Sequence, residues 1–357
     1  MLRVLIVNPF GIGDVLFSLP LVRAIRQEVP AAFIGYLCNA RTEELVSGWP
    51  EVDWRFTFEK DEFRRLWSVS RWQGIHFLRR TLEAVRAERF DTLVDLSLGW
   101  HTGLAGMFCG IRRRIGFDFK ERGKFLTDAL SLSGYSSRPV AEIDLDLLEL
   151  MGLPRPAGID FRLSLPVEAE KRAEEYLSRQ QLAGGSFAAV VPAGGASWGP
   201  NARYKQWPPE RFAEVADHLT RRHRLDVLLI GDRTEEPLCR EVAGRMSASA
   251  PRIVQIPSLL TLAGILKRSK LVLGNDGGTM HLAAAAGART VSIFGPVDAT
   301  VYGPLGGGSE HRVVAKNLAC RPCYRQFRFP ACPWDNACLK NLEAEPVLRA
   351  ADEILKD

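Results

Sequence analysis

The stretch LVLGNDGGTMHLAAAAGARTVSIFGP, residues 271–296, decides how this chain folds. An aliphatic run leads into the loop GNDGG, and Thr279 opens a short alanine-rich helix that Gly287 closes before a second apolar run. This order predicts a strand, a tight loop, a helix and another strand. Free backbone N–H groups and the helix dipole at such a helix start favour an anion, most often a phosphate. The stretch therefore predicts an α/β fold with an anion site at a strand end.

A second interpretation of the same stretch is an ordinary βα turn in which the glycines only form the corner and His281 is a packed core residue. Short glycine motifs alone do not separate the two interpretations. The carboxylate of Asp276 favours the first. Because a carboxylate beside a phosphate weakens its binding, we expect Asp276 to orient the helix turn or to meet a sugar hydroxyl.

Length and composition limit the remaining possibilities. A chain of 357 residues exceeds the usual size of one core, which predicts two domains. A net charge of +5 fits an anionic substrate or a membrane surface better than nucleic acid, which requires a denser basic stripe with interleaved aromatics. The sequence has neither a membrane-length apolar run nor the charged start and cleavage site of a signal peptide, so we expect a cytoplasmic protein.

The chain opens with a continuous apolar run at residues 2–7, which predicts a buried parallel strand. The loop NPFGIGD follows, and a helix is expected from about residue 15 to 28. Leu16 stands where a dinucleotide fingerprint has its third glycine, which argues against an NAD-dependent oxidoreductase. Asp14 lies where open α/β sheets bind ligands, and two roles are open: catalytic base or helix cap.

Arginines are frequent after the second predicted strand. Arg64 lies in a polar, aromatic and basic span of residues 55–89, and Arg114 precedes a short strand. Guanidinium groups suit carboxylates and phosphates, so both are candidates for binding an acceptor, while a solvated helix face is the alternative.

The second half repeats the pattern of the first. Prolines and glycines at residues 151–166 predict a linker, so we expect domains at 1–160 and 161–342 and a closing helix at 343–357 that packs on the first domain. A glycine-rich loop at residues 192–200 precedes Lys205, a candidate diphosphate ligand, and Glu235 follows another strand, where carboxylates often bind ribose hydroxyls. Two Rossmann-like domains facing a cleft are predicted.

Three motifs resemble one family. FGIGDVLFSLPLVRAIR, GASWGPNARYKQWPPERF and GNDGGTMHLAAAAGARTVSIFGP occur in the order of the lipopolysaccharide heptosyltransferases, which are glycosyltransferases of family 9. The resemblance covers nearly the whole chain. It implies the GT-B fold and an inverting, metal-independent transfer from ADP-heptose or a related sugar donor that needs no cofactor. It also implies an anionic glycolipid acceptor and peripheral contact with the cytoplasmic face of the inner membrane.

The resemblance also assigns residues. It places the catalytic aspartate on Asp14, with the acceptor on the first domain and the donor on the second. Gly277 stands where the family more often has Ser or Thr, so this position offers no hydroxyl contact to the donor, although Thr279 lies nearby. The resemblance places the phosphate-binding lysine on Lys205 and the family's signature residues on Asp276, Gly278 and His281. With the candidates from the residues themselves, the donor-binding set is Lys205, Ser197, Glu235, Asp276, Gly277, Gly278, Thr279 and His281, and the acceptor-binding set is Gly13, Arg64 and Arg114.

Elementary chemistry agrees with this assignment. A sugar hydroxyl needs a base to accept its proton, and a departing diphosphate needs positive charge. The sequence shows no two-carboxylate spacing typical of glycoside hydrolysis. We therefore expect a glycosyltransferase acting on a lipopolysaccharide core or similar glycan. The alternative is a nucleotide-sugar-binding protein without catalytic activity.

Four of the seven cysteines lie in one proline-rich segment: Cys320, Cys323, Cys332 and Cys338. In a cytoplasmic protein this clustering predicts a metal site rather than disulfides, with reduced thiols as the alternative. Similar clusters occur in part of the resembled family, where some members bind iron. The expected metal is a structural zinc or iron, remote from the chemistry.

Overall fold

The computed structural model describes residues 1–158, 160–182, 186–194, 196–256, 258–306 and 309–356, without the side chains of residues 196, 197 and 200. It divides into two compact units, Met1–Phe161 and Arg162–Asp357. The predicted boundary after residue 160 lies one residue from this division.

The first unit contains a six-stranded parallel sheet in the order β3-β2-β1-β4-β5-β6. Its strands are β1 (Arg3–Val7), β2 (Phe33–Cys38), β3 (Trp54–Thr57), β4 (Thr92–Asp95), β5 (Arg113–Phe119) and β6 (Asp128–Leu132). Its helices are α1 (Ile12–Phe17), α2 (Leu19–Glu28), α3 (Ala40–Ser47), α4 (Lys60–Val69), α5 (Arg71–Ala87), α6 (Trp100–Phe108), α7 (Val140–Asp144) and α8 (Leu147–Met151). The strand order reverses between β1 and β4, which is where open α/β sheets bind ligands.

The second unit repeats this topology in the order β12-β11-β10-β7-β8-β9. Its strands are β7 (Phe187–Val191), β8 (Asp226–Ile230), β9 (Arg252–Val254), β10 (Leu271–Asn275), β11 (Thr290–Ile293) and β12 (His311–Val314). Its α-helices are α9 (Val167–Arg179), α10 (Pro209–His223), α11 (Glu236–Arg245), α12 (Leu259–Arg268), α13 (Gly278–Ala285), α14 (Ala299–Tyr302), α15 (Ala337–Lys340) and α16 (Glu345–Lys356). A 3-10 stretch spans Ala196–Lys205. The two sheets confirm the predicted α/β class with two Rossmann-like domains.

Continuous apolar strands explain why both sheets are covered on both faces. All five residues of β7 and of β10 are buried, as expected for central parallel strands. Gly274 within β10 is needed for packing, because a Cβ there would lie 2.7 Å from the carbonyl oxygen of Val191 on the adjacent strand.

The C-terminal helix α16 packs on the second unit, which corrects the prediction that it packs on the first domain. Val347, Ala351 and Ile354 on its apolar face are buried in the core formed by β10 and β11. Because this core belongs to the second sheet, the helix completes the second Rossmann-like unit.

None of the helices in the described part of the chain combines the length and the apolar character that a membrane span requires.

Candidate functional site

The loops after β7 and β10 meet at the switch point of the second sheet, and Asn275 joins them. Its side-chain Nδ2 donates to the Pro192 carbonyl at 2.6 Å, and the Trp207 backbone N–H donates to its Oδ1 at 3.0 Å. Asn275 is fully buried, so these bonds are protected from water. They fix the segment that carries Lys205 beside the end of β10.

Lys205, Asp276 and His281 form a buried charged cluster at this point. Lys205 Nζ lies 2.6 Å from Asp276 Oδ2, and His281 Nε2 lies 3.7 Å from Asp276 Oδ1. The Asp276 side chain is only 3% exposed. Burial alone would raise the pKa of Asp276, but the neighbouring Lys205 and His281 outweigh it and lower the pKa. Asp276 is therefore held as a carboxylate, and the predicted orienting role becomes an ion pair with the lysine.

The first turn of α13 lies at the cluster of Lys205, Asp276 and His281. The helix begins at Gly278, and Gly277 before it is in extended backbone conformation, while Thr279 is half-buried in the first turn. Gly194 approaches from β7 with φ +148°, where a Cβ would lie 3.3 Å from the Asp276 carbonyl oxygen. A helix start with backbone N–H groups beside a lysine is suited to an anion such as a phosphate.

Aromatic side chains cover Lys205. Its Nζ lies 4.6 Å from the centre of the Trp198 ring, within the range of a cation–π interaction. Tyr324 stacks on Trp198 with ring centres 4.7 Å apart, and the Tyr324 N–H donates to the Pro296 carbonyl at 3.1 Å. Because Tyr324 follows Cys323 directly, the cysteine-rich segment packs beside the lysine. The expectation that this segment is remote from the site is wrong.

The four cysteines are close enough to influence one another, but they do not converge. Burial raises the pKa of Cys323, and the neighbouring Cys332 and Cys320 add to this rise, while burial raises the pKa of Cys338 to about 11. Within the described residues no three of their sulfurs lie within 4.8 Å of one another. All four are free cysteines in this arrangement, so a metal would have to draw their sulfur atoms together.

Another donor-side candidate, Glu235, stands apart from this cluster. Glu235 ends the loop after β8, where its Oε2 accepts the Asp232 N–H at 3.1 Å. Burial raises the pKa of Glu235. The side chain of Ser197 lies outside the described residues. The position of Glu235 beside a strand adjacent to β7 fits a sugar-hydroxyl contact, and its role stays a prediction.

Asp14 in the first unit takes part in a helix cap and lies at the switch point of its sheet. The Gly11 N–H donates to Asp14 Oδ2 at 3.3 Å, and Asn8 Nδ2 donates to the Asp14 carbonyl at 3.0 Å. Gly11 is the N-cap of α1, so the aspartate is the third helical residue rather than the cap itself. The side chain is half-buried, and the adjacent Gly13 is also half-buried. Capping and catalysis are therefore compatible at this position.

Buried carboxyl groups that the sequence analysis did not identify lie in the same unit. Asp144 on α7 is 2% exposed, and in the described part of the chain its Oδ1 has no hydrogen-bond partner. Burial and the charge of Asp14 raise the pKa of Asp144 well above its usual range. Asp95 at the end of β4 is buried, which raises its pKa to about 7. The sequence could have indicated Asp95, because this aspartate ends an otherwise apolar run. No sequence pattern indicates Asp144.

The predicted acceptor arginines are engaged elsewhere. Arg114 donates through Nε to the Phe125 carbonyl and through Nη1 to the Ile111 carbonyl, both at 2.7 Å. Arg64 on α4 is largely exposed and pairs with Asp61 at 3.5 Å. Hydrogen bonding to carbonyls gives Arg114 a structural role in this geometry, and the acceptor-binding roles of Arg114 and Arg64 stay predictions.

Comparisons with known proteins agree on one family. The model of glycosyltransferase family 9 (heptosyltransferase) matches residues 78–329. Lipooligosaccharide heptosyltransferase 2 of Campylobacter jejuni is 31% identical over 168 residues, which are 46% of this chain and 50% of that protein. Lipopolysaccharide heptosyltransferase 1 of Pseudomonas aeruginosa is 25% identical over 335 residues, 91% of this chain and 87% of that protein.

A solved structure also matches the chain over its length. The structure of ADP-heptose LPS heptosyltransferase II of Escherichia coli superposes with a TM-score of 0.77 at 21% identity, covering 99% of each chain. At this identity the likeness concerns the fold, and it confirms the predicted GT-B class.

Proposed function

The chain belongs to glycosyltransferase family 9, the heptosyltransferase family, and we propose that it moves a heptose or related sugar from an ADP-sugar to a lipopolysaccharide core or similar glycan. The transfer inverts the anomeric centre and uses no catalytic metal. The observation that carries the proposal is the buried cluster of Lys205, Asp276 and His281 at the start of α13. The family membership agrees with the resemblance that the three motifs carry.

The donor diphosphate is proposed to bind at this cluster. An ammonium group has three donors, so Lys205 can keep Asp276 on one side and offer another proton to a phosphate oxygen. The N-terminus of α13 supplies backbone N–H groups and a favourable dipole to the same anion. Charge that develops on the departing diphosphate is then stabilised in a site already organised for it.

Asp14 is proposed as the base. As the new glycosidic bond forms at the anomeric carbon, the acceptor hydroxyl loses its proton to the Asp14 carboxylate, and the bond to ADP breaks with its electron pair leaving on the phosphate oxygen. The half-buried position of Asp14 at a strand-end loop and its hydrogen-bonded backbone support this role.

An anionic glycolipid is the proposed acceptor class, at the cytoplasmic face of the inner membrane. The hairpin of α4 and α5 exposes Val69 (71%), Trp72 (81%) and Ile75 (45%) beside Arg79, which is also exposed. Apolar and aromatic side chains flanked by arginines suit an anionic lipid surface. Trp72→Glu should weaken co-sedimentation with vesicles containing anionic phospholipid, whereas Trp334→Glu, an exposed control in the second unit, should not.

A structural metal at the four cysteines is proposed separately. A cation would offset the burial and the neighbouring cysteines that raise the pKa of Cys323, and it would draw the thiolates into a tetrahedral set. Elemental analysis of protein purified without added metal should find zinc or iron near one equivalent. Its absence, together with four titratable thiols, would establish reduced cysteines instead.

The function itself is tested with purified protein. Among nucleotide sugars, an ADP-sugar should raise the melting temperature most, since binding to the native state stabilises it. Transfer to a lipopolysaccharide-core acceptor should persist in chelator. Stabilisation by the ADP-sugar without transfer or donor hydrolysis would support a catalytically inactive binding protein, and an NAD-dependent oxidoreductase would instead be stabilised by NAD.

A further inference from the structure

A second cluster of potential metal ligands lies where α10 meets α16, away from the loops after β7 and β10. His218 Nε2 lies 2.8 Å and His223 Nε2 lies 2.7 Å from the same atom, Asp352 Oδ1. The three side chains are between 18% and 25% exposed. One ligand atom from each lies within 4.8 Å of the other two. The fold therefore brings two imidazoles and a carboxylate to one point from distant parts of the sequence.

The chemistry of these ligands is that of zinc and related ions. Imidazole nitrogen and carboxylate oxygen bind Zn²⁺ at roughly 2.0–2.2 Å, and three protein ligands with a water complete a tetrahedron. The two rings lie 5.8 Å apart between centres and are inclined at 62°, so both Nε2 atoms face the carboxylate without stacking. An ion entering between them would replace the two hydrogen bonds with metal–ligand bonds.

Packing already holds the ligands in place. Val215 and Leu219 on α10 share a buried core with Val347, Ala351 and Ile354 on α16. Because the helices are fixed by apolar contacts, binding an ion requires small side-chain movements rather than ordering of the backbone. Such preorganisation reduces the entropic cost of binding.

The positive charge of Arg222 repels a cation at this site, but its guanidinium group also orients the Asp352 carboxylate. Its Nε lies 3.3 Å from Asp352 Oδ2, the oxygen that does not contact the histidines. The guanidinium group thereby leaves Oδ1 directed at the two imidazoles. Its positive charge lowers the affinity for a cation, so the ion must gain from both imidazoles.

We propose that His218, His223 and Asp352 bind a divalent transition metal of the zinc class and that this ion fastens α16 to α10. The site is structural. It is distinct from the cluster of Lys205, Asp276 and His281 and from the four cysteines. The metal proposal does not depend on the proposed transfer activity. Binding stabilises the C-terminal helix that covers β10 and β11, the strands on either side of α13 in the chain.

Zinc titration of the metal-stripped full-length protein tests the site. We expect the His218→Gln/His223→Gln double variant to bind one equivalent of zinc fewer than the wild type and to lose part of the zinc-dependent rise in melting temperature. The control is His76→Gln, an exposed histidine on α5, which should retain the wild-type stoichiometry. Equal stoichiometry and equal stabilisation in the double variant and the wild type would overturn the proposal.

Cobalt(II) absorption of the wild type provides an independent measurement that does not require the variant to fold. Cobalt at the histidine site should give visible bands without thiolate charge transfer, which separates it from cobalt at the cysteines. If all bound cobalt shows thiolate charge transfer, or none binds, the histidine site is absent. Transfer activity should persist when the ion is removed, so failure of this proposal is distinguishable from failure of the proposed function.

Discussion

Strands β4 and β10 occupy the same position in their two sheets, and each ends beside a buried carboxyl group. Asp276 follows β10 and pairs with Lys205 at 2.6 Å, which, together with His281, lowers its pKa. Asp95 ends β4 and accepts the Ser97 N–H at 2.8 Å, and burial raises its pKa to about 7. Among the described residues no lysine or arginine forms an ion pair with Asp95.

One topology thus supports two opposite electrostatic arrangements. The second unit stabilises ionised groups at its switch point, as expected for the proposed diphosphate site. The first unit contains Asp95 and Asp144, which hold their protons more tightly than ordinary aspartates do, beside the loop of Asp14. We infer that the site in the first unit serves proton transfer, whereas the site in the second unit stabilises ionised groups.

The largest expected effect is on turnover in the first unit. Asp14→Asn should lower kcat by ~10²–10⁴-fold, the usual contribution of a general base. The amide oxygen can still accept the Gly11 N–H, so the start of α1 should be preserved. ADP affinity, measured by calorimetry, should stay near that of the wild type because the proposed diphosphate ligands lie in the second unit. Wild-type turnover in this variant would remove Asp14 from the mechanism.

Replacing Lys205, the cation paired with Asp276 in the second unit, should mainly lower stability and donor affinity. Lys205→Met leaves the Asp276 charge buried with His281 as its one remaining charged neighbour among the described residues, and loss of one partner of a buried pair costs about 3–5 kcal/mol. Urea unfolding measures this loss. ADP binding should weaken by roughly 1.5–3 kcal/mol, the scale of a hydrogen bond to a charged group.

The double variant Lys205→Met/Asp276→Leu separates the two effects. Apolar replacement of both partners removes the buried charge, so most of the stability should return, whereas ADP affinity should remain low. Recovery of ADP affinity in the double variant would show that the lysine is not a phosphate ligand. In that case the pair would be structural only.

Asp95→Asn should change the pH dependence of stability. Because the folded pKa is about 7 and the unfolded value is near 3.8, the wild type loses stability as pH rises from about 4 to 7. Asparagine removes this loss. The free energy of unfolding of the variant should therefore exceed that of the wild type by up to about 4 kcal/mol at pH 8 and by much less at pH 4. Urea unfolding at the two pH values measures the difference. An equal change at both would mean that Asp95 titrates normally.

The repeating strand and loop pattern could be predicted from the sequence, because apolar runs and glycine loops are local signals. The motifs also located Asp14, Lys205 and Asp276. The ion pair could not be foreseen, since Lys205 and Asp276 are distant in sequence and meet only when β7 and β10 pair. The raised pKa of Asp95 depends on burial, and the position of Tyr324 on Trp198 depends on how an irregular segment folds back.

The smallest expected effect concerns the aromatic rings of Trp198 and Tyr324, which cover Lys205 in the second unit. Tyr324→Leu removes the stack on Trp198, an interaction of about 0.5–1.5 kcal/mol, and should loosen the ring that faces Lys205. ADP affinity by calorimetry should fall less than about tenfold, below the loss in Lys205→Met. Trp334→Leu, an exposed aromatic of the same segment, is the control and should bind ADP as the wild type does. If Tyr324→Leu also binds ADP like the wild type, the cysteine-rich segment contacts the site without supporting it, and the charged cluster depends on Asp276 and α13 alone.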